Sequence, residues 1–107
     1  MTDIRFSPQA IEDLRETKAY ITNELYSAQA AENTISKIMN RIRILADFPE
    51  SGPPLSSIID VDTNYRFLVC GNYTAFYRYE DGIVYIVRIL YGRRDFMRIL
   101  FEEPEEN

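Results

Sequence analysis

The spacing of apolar residues changes once along this chain, near residue 64. Between residues 8 and 47 apolar side chains recur at intervals of three and four. Ile11, Leu14, Ile21 and Leu25 form one stripe. Ala31, Ile35, Ile38, Ile42 and Leu45 form a second, widened by Met39 and Ala46. That spacing collects apolar groups on one side of an α-helix. Ser7-Pro8 marks the first helix start, with Ser as N-cap and Pro at a position that needs no N–H donor. Tyr26-Ser27 breaks the stripe, and Ser27 can cap the second helix. Pro49 ends it. So short a link predicts an antiparallel helical hairpin.

From Asn64 onward the period is two. YRFLVC, YTAFYRYE and IVYIVRILY are separated by Gly71-Asn72 and Asp81-Gly82. These pairs reach the positive φ values of tight hairpin turns without a Cβ clash. A three-stranded antiparallel meander follows, ending in Gly92-Arg93-Arg94-Asp95. Asp3 to Phe6 reads as a short first strand at or near an edge. Segment 48–54 is a loop by composition, and residues 55–63 have no clear period. The expected fold class is α+β, in the order β-α-α-β-β-β. The helical hairpin packs on one face of an antiparallel sheet.

Two-residue turns fix which side chains share a face. Arg66, Leu68, Cys70, Tyr73, Ala75, Tyr77, Tyr79, Val84, Ile86, Arg88 and Leu90 fall on one, assigned to the helices. Tyr65, Phe67, Val69, Thr74, Phe76, Arg78, Glu80, Ile83, Tyr85, Val87, Ile89 and Tyr91 fall on the other. This second face is too apolar for a bare solvent face. Either it meets a protein partner, or segment 55–63 or the C-terminus covers it.

Composition narrows the chemistry. A chain of 107 residues makes one domain with its own core. We assign residues 1–101 to it, and residues 102–107 to an acidic, disordered tail with four carboxylates and no cation. No apolar run reaches membrane-spanning length, and no secretory signal opens the chain. With the lone Cys70, this fits the cytoplasm. Histidine is absent, so the commonest general base and metal ligand are missing. We expect no metal and no cofactor. The net charge is −5, but residues 1–101 carry 13 acidic and 12 basic side chains, ten of the twelve being Arg. A local cationic site is open to such a chain, and a broad nucleic-acid footprint is not.

The order of parts and three strings carry a family resemblance. SPQAIEDL opens the first helix, LADFPESGPP follows the second, and FYRYEDGIVYIVRILYGRRD ends the meander. Together, over residues 3–101, they resemble the RelE/ParE superfamily of toxins from type II toxin–antitoxin modules. The resemblance implies a cognate antitoxin whose C-terminal segment wraps the toxin. It implies one of two targets. ParE-like members poison DNA gyrase by binding. RelE-like members are metal-independent endoribonucleases that cut mRNA in the ribosome. The family's cations match Arg66 and Arg93 or Arg94, the candidates for target contact or RNA cleavage. The nuclease's middle-strand arginine falls on Thr74, and its C-terminal tyrosine near Leu100 or Phe101. These departures favour the ParE-like reading, with the ribosome-dependent endoribonuclease as the alternative.

Plainer roles stand beside these. Arg66 and Arg88 can pair with helix carboxylates such as Glu12, Asp13 or Glu16. Asp95 can hold Arg93 or Arg94 in a salt bridge. Tyr77 fits a core aromatic with a satisfied hydroxyl, and Cys70 an inert half-buried thiol. For the antitoxin we assign Phe67, Phe76, Tyr85, Val87 and Tyr91, as the open face receiving an added helix or strand.

Overall fold

A computed structural model describes residues 2–92 and 95–102. Strand β1 (Asp3–Phe6) leads into helices α1 (Pro8–Leu25) and α2 (Ala28–Arg43). A 3-10 turn, Ile44–Ala46, extends α2, and another, Leu55–Ser57, interrupts the following loop. Strands β2 (Tyr65–Cys70), β3 (Tyr73–Glu80) and β4 (Ile83–Tyr91) form the meander, and a π-helical turn, Arg98–Glu102, ends the described chain. Arg93, Arg94 and residues 103–107, most of the acidic tail, lie outside the described residues.

Both helix starts follow from their caps. Ser7 Oγ accepts the Ala10 N–H at 2.9 Å, with Pro8 next to it. Ser27 Oγ accepts the Ala30 N–H at 3.0 Å. Each satisfies a donor that the first helical turn leaves unpaired. Tyr26 ends α1 in the left-handed region, at φ 50°. In the second hairpin turn Asp81 and Gly82 take φ 53° and 77°, as a tight turn between right-twisted strands requires.

The sheet order is β1-β4-β3-β2. The meander is antiparallel, while β1 lies at an edge and runs parallel to β4. The sheet is therefore mixed rather than wholly antiparallel. The hairpin packs on one face, where Ile38, Ile42 and Leu45 meet Leu68, Ala75, Tyr77, Val84 and Ile86.

The parity expected for β4 holds only as far as Ile86. Phe76 pairs with Arg88, yet Tyr77 pairs with Ile86, so Val87 is an extra residue. Such a bulge exchanges the faces of the residues beyond it, although the long Arg88 side chain at the bulge still reaches Asp13 of α1. Ile89 joins the helix-side core and Leu90 the opposite one, the reverse of the sequence expectation. Tyr91 moves with Ile89 and packs against Tyr73.

Side chains of α1 and its cap take up backbone groups around the bulge. Ser7 Oγ donates to the Val87 carbonyl at 2.6 Å. Asp13 Oδ2 accepts the Ile89 N–H at 2.9 Å. Buried backbone groups need such partners, which explains how the irregularity is tolerated.

Much of the second face is covered. Phe67, Phe76 and Leu90 pack with Leu55 and with Ile59, Tyr65, Phe96, Ile99 and Leu100. Phe96 stacks on Phe76 at 5.5 Å, and Phe101 meets Tyr65 edge-on at 5.6 Å. Of the two covers foreseen, segment 55–63 and the C-terminus both contribute.

Candidate functional site

A cleft lies beside the end of β4. It has a volume of about 590 Å³ and runs between α1 and the residues following β4. Asp13 and Arg88 lie at its floor. The Arg88 guanidinium donates through Nε and Nη2 to the two Asp13 oxygens, both at 2.8 Å. With the Ile89 N–H, Asp13 accepts three hydrogen bonds. This is the helix carboxylate expected for Arg88.

The walls are aromatic. Tyr73 from β3 and Tyr91 from β4 face each other with centroids 5.4 Å apart and planes at 81°. Tyr20 joins them from α1. Burial pushes the Tyr73 phenol above its ordinary pKa, opposed by a hydrogen bond with Thr17 and reinforced by the Tyr91 and Tyr20 hydroxyls. Glu16 and Asp95 also line the cleft, and Asp95 pairs with Arg98 at 3.5 Å. Sequence reasoning missed Tyr20 and Tyr73 as site residues. A signal existed: Asp13, Glu16, Thr17 and Tyr20 share one helical stripe beside the apolar one.

Arg66 is elsewhere. Its Nη1 donates to the carbonyls of Gly52 at 2.8 Å and Glu50 at 3.2 Å, and Nη2 approaches Glu50 Oε2 at 3.5 Å. The expected helix partner is thus replaced by the loop after α2. Along β2, Arg66 lies four residues, roughly 13 Å, from the Cys70 end. The Gly92 N–H bonds Asn72 at that far end. Arg66 is therefore not part of the cleft beside β4. Arg93 and Arg94 lie outside the described residues.

The same loop is pinned by Tyr77, whose hydroxyl donates to the Pro49 carbonyl at 2.9 Å and accepts the Gly52 N–H at 3.0 Å. A Cβ on Gly52 would come within 2.4 Å of the Phe67 carbonyl oxygen, so no side chain fits there. Tyr77 is the satisfied core aromatic expected. Burial drives the Cys70 thiol from 9.0 to about 11, against the opposing charge of Arg41 and a hydrogen bond at Ala75. A thiol so seldom ionised is a poor nucleophile.

The residues assigned to the antitoxin are dispersed. Phe76 is fully buried and Phe67 nearly so, which corrects the expectation that they lie on an open face. Tyr85 and Val87 are half-buried, with the Arg78 guanidinium 5.2 Å from the Tyr85 ring centre. Tyr91 is 59% exposed but belongs to the cleft, because the bulge turns it to the helix side. Thr74, where nuclease relatives carry arginine, is buried. Among the described residues no group of His, Cys, Asp and Glu converges to hold a metal. Nor is any helix among them long and apolar enough to cross a membrane.

Comparison with known proteins agrees with this architecture. A family model described as the ParE toxin of the type II toxin–antitoxin system, parDE, matches residues 4–96. The chain belongs to the ParE toxin family. No curated protein sequence matches. Among solved structures, a chain of the chromosomal ParDE toxin–antitoxin system from P. aeruginosa is similar, with TM-score 0.73 and 17% identity. The match covers 86% of this chain and 97% of that one. A chain of the RelBE2 toxin–antitoxin complex from Mycobacterium tuberculosis gives TM-score 0.51 at 20% identity, over 84% and 96% of the two chains. At these identities the likeness is one of fold. It places the ParE-family chain among mixed sheets covered by a helical hairpin.

Proposed function

We propose that this chain is the toxin of a type II pair, that it arrests growth by binding an essential protein, DNA gyrase, and that a cognate antitoxin neutralises it. The carrying observation is the chemistry of the cleft beside β4. Its described side chains include three tyrosines and the carboxylates of Asp13, Glu16 and Asp95, against the cations Arg88 and Arg98. A site that cuts RNA needs surplus positive charge for phosphate and a group that moves a proton. Arg88 and Arg98 are each already engaged by a carboxylate. Arg66 is held by loop carbonyls, and Thr74 is buried where a cation would have to act. This arrangement supports binding over cleavage. Arg93 and Arg94 retain their proposed role in target contact. The antitoxin is assigned the half-exposed Tyr85 and Val87, together with the helical hairpin.

The deciding experiment is induced expression with and without the neighbouring antitoxin, followed by a supercoiling assay with purified gyrase. Growth arrest, loss of supercoiling and rescue by the antitoxin are expected. Rapid mRNA cleavage at the ribosomal A site, with gyrase unaffected, would overturn the reading in favour of the endoribonuclease.

A further inference from the structure

The tyrosine cleft has a feature that growth inhibition alone does not explain. Tyr20 and Tyr91 are 64% and 59% exposed, so their rings are accessible at the cleft. Tyr73 and Tyr91 stand nearly perpendicular, so their rings form two walls of a box. The negative face of an aromatic ring attracts a cation within about 6 Å of its centre. Glu16, also lining the cleft, makes no hydrogen bond or ion pair with any described residue. By contrast Asp13 spends its charge on Arg88, and Asp95 pairs with Arg98. A carboxylate with no partner among the described residues, beside tyrosine rings, has the chemistry to hold a positive side chain.

We propose that this cleft binds an arginine side chain presented by a protein partner. The guanidinium would stack on the rings of Tyr73 and Tyr91 and pair with Glu16. Arg suits the site better than Lys because its planar, weakly hydrated head stacks on aromatic faces. A volume of about 590 Å³ holds such a side chain with part of its flanking backbone. Phosphate is disfavoured by the same carboxylate. The proposal deepens the reading of a toxin that works by protein contact, and it names the chemistry that contact would use.

The test uses the purified full chain with tyrosine rings labelled for NMR. The probes are N-acetylarginine amide and its neutral counterpart N-acetylcitrulline amide, which has nearly the same shape. The arginine compound is expected to shift the Tyr20, Tyr73 and Tyr91 signals saturably, and the citrulline compound is not. Glu16→Gln should weaken arginine binding by about two- to fivefold, as loss of an exposed ionic contact implies. Tyr91→Leu should abolish it, and both positions are exposed enough to leave the fold intact. Equal shifts from the two compounds, no shifts from arginine, or full affinity in Glu16→Gln would each overturn the proposal. So would saturable shifts from inorganic phosphate. Its failure is separable from failure of the toxin reading, because the supercoiling assay does not depend on the amide titration.

Discussion

On one face of the sheet, Ile38, Ile42 and Leu45 press against Leu68, Tyr77 and Ile86. On the other, Phe67, Phe76 and Leu90 lie under Leu55 and the residues from Phe96 to Leu100. Both cores contain fully buried side chains, but their covers differ in kind. The first is two capped helices of 18 and 16 residues with a short turn between them. The second is a three-residue turn plus a five-residue terminal turn, with backbone bonds such as Ile59 N–H to Leu55 and Ile99 N–H to Asp95. Segments so short open at lower cost than long packed helices. A partner that needs apolar surface on this protein would find it beneath the second cover more cheaply than beneath the first.

The largest expected effect compares the two members of the stacked pair on the second face. Phe76→Ala should cost about 3–5 kcal/mol, since it empties a fully buried ring site between strand and cover. Phe96→Ala, on the cover itself, should cost only about 1–2 kcal/mol, because the ring is half-exposed and the turn can relax. Urea midpoints of both variants measure the difference. Equal losses would mean that the second cover is as integral to folding as the helices, and the contrast would fail.

The next effect concerns the seam where the faces exchange residues. Asp13→Ala should cost about 2–4 kcal/mol, near the low end for a broken buried pair because Arg88 keeps some contact with water. It also leaves the Ile89 N–H without its acceptor. The expected signature is local: loss of the Tyr73–Tyr91 ring contact by NMR, with the Phe76–Phe96 contact retained. If both contacts survive and stability is unchanged, Asp13 does not hold the bulge.

The same seam separates what could be read from the chain and what could not. The helices, their Ser7 and Ser27 caps and both hairpin turns follow from local signals that act over a few residues. The family likeness rested on the same ordered strings. The bulge at Val87 carries no local mark. It depends on Ser7 and Asp13, more than 70 residues away, to take up the displaced backbone groups. Ignorance of it put Ile89, Leu90 and Tyr91 on the wrong faces, and so hid the tyrosine cleft. The second cover was equally obscure, because its contacts involve Leu55, Ile59, Phe96 and Leu100 at no regular period. Arg88 with Asp13 could be anticipated from charge and parity. Arg66 could not, since backbone carbonyls of the Glu50–Gly52 loop, rather than a carboxylate of the helices, took its donors.

The smallest effect tests how dry the helix-covered face is, through its one thiol. Cys70 is 3% exposed, and burial lifts it from 9.0 to about 11. Below pH 9 the thiol keeps its proton in both folded and unfolded chains, and its contribution to stability is fully present. As pH rises from 9 to about 11 the unfolded chain ionises first, so the folded state holds more protons and loses stability. The raised phenols of Tyr73 and Tyr77 act in the same direction at higher pH. Cys70→Ala should therefore flatten the decline between pH 9 and 11 without removing its upper part. It should also lower stability at pH 7 by a constant amount through lost packing. Urea unfolding of parent and variant at several pH values separates the offset from the slope. Parallel curves would mean that the thiol ionises as readily in the folded chain as in the unfolded one. Water would then have to reach Cys70 from the exposed edge at Val69, and the helix-covered face would be no better sealed than the other.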